Sequence, residues 1–553
     1  MKNKVEKNIK KVVLICFYDK VGVAMKTLSA SLLKAGHIPY IIFLKEDSAR
    51  ITNGYNKKAL QYQMLWLDQF WGSGIDVEPI TEKEWELFRS LMKKINPDVV
   101  GISSRSAHRK LFNRVVDETL AITPKARLIA GGYGPILKPK WFLEKCKYIC
   151  LGEGDKTMVD FTEAKNPKKI FNIGYLENGK LKFNQMLPPE DINKLPYIDF
   201  TEKNKYLIEN NKIQTNAFYD RRAYDIFCTR GCPSSCTYCM ACQWDTMLKP
   251  YKINFPKIRI RTPQSIINEL LYVKKKYNIN YVRFKDDIFG LNEKWLMEMM
   301  DLYDKEIGLK FSCFLDERYA TENIVKRLYK SGLRKTTVGI QSASEEVRKT
   351  IFGRQISNER TIAYAKMLQS NDIEVKYHLI GWNPFENHKT LKDGVEFLRK
   401  MPKSSDVSVF EMKIFPNSLV EKLYKKKNPV ALATDEYTSW AFLQQMVLFS
   451  KSMESKALKF INESNYDLDK IFKIFKKGIS GRASKFKLVA SNDIEVGGRI
   501  MDERIHLKET NEAGITSGEM DKLMGMVTTK LIKKGELFQW DKVKSTYARI
   551  RTG

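Results

Sequence analysis

Residues 227–242 read FCTRGCPSSCTYCMAC and hold five of the nine cysteines of this 553-residue chain, Cys228 to Cys242. Such clustering marks a metal or cluster site. Cys232, Cys236 and Cys239 form a CxxxCxxC pattern, with Gly231 before and Pro233 after the first thiol and Tyr238 just ahead of the last. Three thiolates on one short loop can hold three irons of a cubane cluster and leave the fourth iron open to a further ligand. The same run contains a rival CxxCxxC, Cys236, Cys239 and Cys242, and Cys228 is a fourth candidate. A structural zinc knot is the bland alternative. Zinc sites commonly pair two separated ligand clusters, and this chain has no second cysteine cluster or histidine knuckle.

Length and composition bound what surrounds this loop. The chain is long enough for two or three domains with their own cores, and 43% hydrophobic residues is ordinary for a globular protein. No apolar run approaches the ~20 residues of a membrane helix. After the basic start MKNKVEKNIKK, the stretch VVLICF is too short for a signal peptide, so the expectation is a cytoplasmic, reducing location that suits thiolate ligands better than disulfides. The formal charge is +30, from 95 basic and 65 acidic side chains. The excess is spread along the chain, with no basic tail or aromatic-interleaved basic tract. It argues for a solvated basic surface, and for a small-molecule or anionic substrate rather than a nucleic acid.

Ahead of the loop, strand and helix patterns alternate: an apolar run at 12–17, a helical period from Met25 through Leu33 stopping at Gly36, and strands at 40–44, 98–103, 127–130 and 148–151. Strands that end in small residues before helices describe a doubly wound parallel sheet with its ligand crevice at the carboxyl ends. Residues 165–221 loosen into turn-rich sequence and read as a linker. From 222 the alternation resumes, with strands at 224–227, 281–284, 310–315, 335–340, 375–380 and 407–414, and with helices capped at Thr262 and Asn292. Runs of βα units present functional groups at strand ends, as barrel enzymes do. After about Asn428 the periods of WAFLQQMVLF (440–449) and LDKIFKIF (468–475) are helical, and a mixed basic segment follows.

The segments NPDVVGIS (96–103) and RLIAGGYGPILKPKWFLEKCKYICLGEGD (127–155) resemble the cobalamin-binding domain that precedes the barrel in cobalamin-dependent radical SAM enzymes. CxxxCxxC, RFKDDIFGLN (283–292), VGIQSASEEVRKTIFGR (338–354), YHLIGWNPFENHKT (377–390) and KIFPNSLVEKL (413–423) resemble, in order, the motifs of the radical SAM barrel. Each later motif is weak alone; the ordered set is specific. The resemblance implies an α/β chain: a Rossmann-like cobalamin domain (1–164), a linker (165–221), a partial (β/α)6 barrel (222–427) and a mainly helical, substrate-shaping C-terminal region (428–553).

It also implies cofactors and roles. A [4Fe-4S] cluster would sit on Cys232, Cys236 and Cys239, with Cys228 a small strand residue and Cys242 unligated or modulating. S-adenosylmethionine would meet Tyr238, Asp286, Asp287, Ser342, Ile380 and Gly381, and cobalamin would meet Ser103, Ser104, Gly131, Gly132, Gly152, Glu153 and Gly154. No residue is assigned a catalytic role. The early turn YDKVGVAM (18–25) has Asp19 and Gly22 but lacks the cobalt-ligating histidine of cobalamin mutases, which fits base-off cobalamin or a domain that has lost it. Gln341 and Ala343 stand where glutamate and glycine are frequent, which weakens the ribose role of Ser342. Bland readings stand beside these: Asp286 and Asp287 as turn caps, Arg318 and Arg354 as solvated arginines, His37 and His108 as surface or helix-end residues, and Met297, Met299 and Met300 as helix packing. The expected activity is methyl transfer to an unactivated carbon, with a flavodoxin- or ferredoxin-type electron donor. The alternatives are a radical cyclase or rearrangement enzyme without methyl transfer, and an iron–sulfur electron-transfer or regulatory protein.

Overall fold

The computed structural model describes residues 8–18, 22–45, 80–105, 108–215, 223–251, 256–404, 406–463, 470–471, 486–500, 504–510, 512–515, 523 and 526–544. Asp19 lies outside them.

The first half is one nine-stranded sheet. Its strands are β1 (Lys11–Phe17), β2 (Ile38–Leu44), β3 (Val99–Ser103), β4 (Arg127–Gly131), β5 (Tyr148–Cys150), β6 (Ile173–Glu177), β7 (Lys180–Phe183), β8 (Lys205–Glu209) and β9 (Lys212–Gln214), in the order β7-β6-β5-β4-β3-β1-β2-β8-β9. β1 is apolar almost throughout because helices cover both faces, as a central parallel strand requires. It pairs with β2 on one side and β3 on the other, so the connections reverse direction there and open the crevice between β1 and β3. Within the stretch read as a linker, residues 173–183 and 205–214 extend this sheet at its two edges, each as an antiparallel hairpin. Their turns explain why: Asn178–Gly179 and Asn210–Asn211 all have positive φ, the conformation that two-residue hairpin turns demand.

The second half is a six-stranded parallel sheet of β10 (Ala223–Ile226), β13 (Tyr281–Phe284), β14 (Lys310–Leu315), β15 (Leu333–Gln341), β16 (Glu374–Gly381) and β17 (Asp406–Glu411), paired in chain order. The antiparallel pair β11 (Thr229–Gly231) and β12 (Ile258–Ile260) leaves it after β10. The capping residues sit where the sequence placed them: Thr262 accepts from Ser265 N–H and Asn292 from Trp295 N–H. Val282, Phe284, Phe311, Val338, Tyr377 and Val409 face the surrounding helices in one apolar core. Met299 and Met300 are buried in it, the packing role expected of them.

Helical sequence after the barrel holds for Thr434–Phe449 and Lys451–Glu463, whose Trp440, Met446 and Phe460 join that core. From residue 486 the described chain forms strands instead: β18 (Phe486–Ala490), β19 (Ile505–Glu509), β20 (Val527–Thr528) and β21 (Val543–Lys544). They enclose a separate small core of Leu488, Ile494, Ile500, Ile532 and Phe538. Short β-branched runs broken by Gly497, Gly498 and Gly535 carry this signal, which a search for helical periods passes over. The unit meets the barrel at the amino ends of its strands, where Lys310 Nζ donates to Ser491 O (3.4 Å). Among the described residues, no helix is long and apolar enough to cross a membrane.

Candidate functional site

The cysteine loop begins at the carboxyl end of β10. Gly231 is obligatory there: its φ is +94°, and a Cβ would stand 2.1 Å from Lys257 O, just ahead of the neighbouring strand β12. Asp286, 1% exposed, anchors the approach by accepting from Cys228 N–H, Thr229 N–H and the Thr229 hydroxyl. Cys232, Cys236 and Cys239 then gather in one small apolar cluster with Ile288, Leu291 and Tyr319. Below them Gln243 Nε2 donates to the carbonyls of Cys236, Thr237 and Cys239 at 2.8 to 3.3 Å, and its Oε1 accepts from Leu419 N–H (2.8 Å). The Cys242 thiol points at the same carbonyls, 3.1 Å from Cys236 O and 3.3 Å from Cys239 O. Cys228 is fully buried in the barrel core.

None of the nine cysteines is in a disulfide. Among the described residues, no three His, Cys, Asp or Glu side chains gather about a single point as one bound ion requires. A cubane makes no such demand, because each of its irons takes its own thiolate. The loop's electrostatics are asymmetric. Burial pushes the Cys232 thiol up to about 11, whereas the Cys236 thiol is drawn below the usual thiol range, first by the Cys242 thiol and then by the Arg354 and Arg318 guanidinium groups, against the cost of burial.

A cavity of about 510 Å³ lies between this loop and the crevice of the first sheet. One wall is Ser103, Gly131, Gly132, Gly152, Glu153 and Gly154; the other includes Gly231, Ala241, Trp244 and Asp287. The crevice wall is mostly backbone. A Cβ on Gly131 would meet nothing nearer than Cys150 Cβ at 3.9 Å, so the glycine leaves that space open to a bulky group. Enclosure of the cavity pushes the Asp287 carboxyl up to about 6. The two walls are bolted together by charge: Arg230 pairs with Asp155 through both terminal nitrogens (2.8 and 3.1 Å) and with Glu153 (3.3 Å), and Arg259 also pairs with Glu153. Tyr133, just after Gly132, stands edge-on to Trp244 with centroids 5.3 Å apart.

A second group forms at the ends of β15 and β16. Tyr238 and Ile380 share an apolar cluster with Phe352, Phe385 and Met412, and Gly381 packs against Val409 and Tyr437. Ser342 donates to Glu386 Oε1 (2.6 Å), and Tyr437, from the helix Thr434–Phe449, donates to the other carboxylate oxygen. Burial pushes the Glu386 carboxyl up to about 7.

The sequence-selected residues thus divide. Six of the seven crevice residues line the cavity, with Asp287. Ser104 is buried behind it, its hydroxyl donating to Arg105 O, and Asp286 is spent on the loop's backbone. Ser342 is turned onto Glu386, and the Glu153 carboxylate is held by two arginines. His37 and His108 are buried rather than superficial (4% and 8% exposed); His108 stands at a helix start, and burial drives its imidazole down to about 4. Arg354 is 5% exposed, not solvated. The pairs formed by Arg230, Arg259 and Asp155, the contact of Tyr437 and the reach of Gln243 to Leu419 are not legible in the sequence, since each joins residues distant in the chain.

A doubly wound sheet and a parallel barrel sheet thus share one cavity beside a cysteine loop. Residues 226–398 match the family model of the Radical SAM superfamily, residues 69–162 that of the B12 binding domain, and residues 488–544 that of the SAF domain. An uncharacterized methyltransferase of Pyrococcus horikoshii is 24% identical over 56% of this chain and 66% of its own length. The cytidylyl-2-hydroxyethylphosphonate methyltransferase of Streptomyces wedmorensis is 24% identical over 57% and 62%, so the chain spans less than two thirds of either relative. Among solved structures, the cobalamin-dependent S-adenosylmethionine radical enzyme OxsB, with aqua-cobalamin and S-adenosylmethionine bound, has a TM-score of 0.56 at 14% identity over 83% of this chain and 71% of its own. The radical S-adenosylmethionine methyltransferase TsrM from Kitasatospora setae gives 0.53 at 15% over 75% and 76%. The chain thus carries a stretch that matches the B12 binding domain ahead of one that matches the Radical SAM superfamily.

Proposed function

We propose that the protein is a cobalamin-dependent radical SAM methyltransferase acting on an unactivated carbon of a small-molecule substrate. The observation that carries this reading is the shared cavity, whose one wall is the glycine-rich crevice and whose other wall is the cysteine loop with Asp287. Cys232, Cys236 and Cys239 hold a [4Fe-4S] cluster, and Cys228 and Cys242 serve the loop's packing and hydrogen bonding. Asp287, Tyr238, Ile380 and Gly381 receive S-adenosylmethionine, while Asp286 and Ser342 act from behind by fixing the loop and Glu386. Ser103, Gly131, Gly132, Gly152 and Gly154 seat the corrinoid, with Glu153 held in place by Arg230 and Arg259. When bound, these groups supply a 5′-deoxyadenosyl radical to remove hydrogen and a cobalt-bound methyl group to replace it.

The protein's own part is orientation and exclusion of water. The ion pairs of Arg230 and Arg259 fix the separation of the two walls, and the apolar surroundings of the thiols shield the loop. A low-potential flavodoxin- or ferredoxin-type protein is the electron source, and a reducing compartment such as the cytoplasm suits nine cysteines without a disulfide.

The test uses the full chain, reconstituted anaerobically with iron, sulfide and hydroxocobalamin and given a strong reductant and methyl-labelled S-adenosylmethionine. The expected outcome is 5′-deoxyadenosine together with labelled methylcobalamin. Formation of 5′-deoxyadenosine with no label on the corrinoid removes the methyltransferase reading and leaves the radical reading; formation of neither removes both.

A further inference from the structure

We propose that Arg354 is a positioning residue that raises the reduction potential of the cluster through the Cys236 sulfur. The inference rests on Cys236 being a cluster ligand. Arg354 Nη1 donates to Cys236 Sγ across 3.9 Å, and among the described residues no guanidinium stands so close to Cys232 or Cys239.

Backbone contacts deliver the arginine. Thr237 N–H donates to Phe352 O (3.2 Å) and the Thr237 hydroxyl to Ile351 O (2.6 Å). Gly353, at φ +69°, lies so close that a Cβ would stand 3.1 Å from Ser235 O. The segment that carries Arg354 is therefore stitched to the segment that carries Cys236, and the buried guanidinium has no solvent to swing into.

The nearest carboxylate to Arg354 is shared with a second guanidinium. Arg354 Nη2 donates to Asp316 Oδ2 (3.2 Å), but Arg318 already holds both oxygens of that carboxylate at 2.7 Å. Two guanidinium groups thus share one carboxylate. Glu317 is a second carboxylate but stands farther off, 4.0 Å from Arg354. One electron accepted from an external low-potential donor makes the cluster more negative without forming or breaking a bond to the protein. A fixed positive charge with an N–H···S hydrogen bond in a site of low dielectric favours that more negative state. Arg354 acts through the thiolate and so governs how readily the donor fills the cluster.

The test is a potentiometric titration of the reconstituted full-length protein, without S-adenosylmethionine, followed by electron paramagnetic resonance of the reduced cluster. Arg354→Gln is expected to lower the midpoint potential and Arg354→Lys to lower it less, whereas Asp316→Asn, which removes the counter-charge, raises it. An unchanged potential in Arg354→Gln at wild-type iron content overturns the proposal. Where the glutamine variant fails to retain iron, Asp316→Asn decides: a rise supports the proposal, and no change or a fall overturns it. A wild-type protein that takes up no iron–sulfur cluster overturns the reading of the cysteine loop itself, an outcome distinct from a cluster whose potential ignores Arg354.

Discussion

The two walls of the central cavity are built in opposite ways. The crevice wall is defined by what it lacks: Gly131, Gly132, Gly152 and Gly154 bring backbone to the edge and leave the volume to a ligand. The barrel side is defined by what stands behind its wall: thiols, the clamp of Gln243, the carboxylate of Asp286 and the arginines around Asp316. A wall of glycine is damaged by adding atoms, whereas a set of interlocked polar groups is damaged by removing them. This difference gives each side its own diagnostic substitution.

The largest effect is expected on the barrel side. Alanine at Cys232, Cys236 or Cys239 should abolish both cluster iron and 5′-deoxyadenosine formation, while Cys228→Ala and Cys242→Ala retain iron. Iron analysis and product chromatography check this, and retention of full iron by Cys239→Ala would break the assignment. Next is an addition on the crevice side. Gly131→Val, at a position with ordinary backbone and open space, should weaken hydroxocobalamin binding at least tenfold, about 1.4 kcal/mol, at unchanged iron content. Binding titrations read it, and equal affinity would remove the crevice from the corrinoid site.

Third comes the bolt between the walls. Arg230→Ala leaves Asp155, 7% exposed, without its bidentate partner and should cost about 3 kcal/mol, seen as a lower midpoint in denaturant. A further effect concerns pH. Glu386 has a folded pKa raised from 4.5 to about 7, so the folded state holds a proton that the unfolded chain has released. Its contribution is present below about 4.5 and is lost as pH rises toward 7, by up to ~3 kcal/mol. Stability measured from pH 5 to 7.5 should therefore fall less in Glu386→Gln than in the parent. Parallel curves would show that Ser342 and Tyr437 hold the ionised form instead.

What was legible in the sequence follows from locality. CxxxCxxC, the caps at Thr262 and Asn292 and the apolar runs of β1 and β13 are contiguous patterns whose physics acts within a few residues. The hairpins at Asn178–Gly179 and Asn210–Asn211 are equally local, yet their short strands amid other turn-rich sequence read as linker. The strands after residue 486 were missed because short β-branched runs between glycines carry little periodicity. Side-chain destinations were harder to read. Asp286 and Asp287 are adjacent and chemically identical, yet one faces the loop's backbone and the other the cavity, because successive residues leaving β13 point to opposite sides.

The sequence by itself determined the cysteine loop, the order of the two α/β halves and the small residues at the strand ends, because each depends on residue type and spacing along the chain. Only the tertiary structure decided that the crevice and the loop share one cavity, that Arg230 and Arg259 lock them together, that Tyr437 closes on Glu386 and that Arg354 reaches Cys236. Those contacts join residues separated by 51 to 118 positions, and their energy comes from burial and charge pairing, which exist only once the chain has folded.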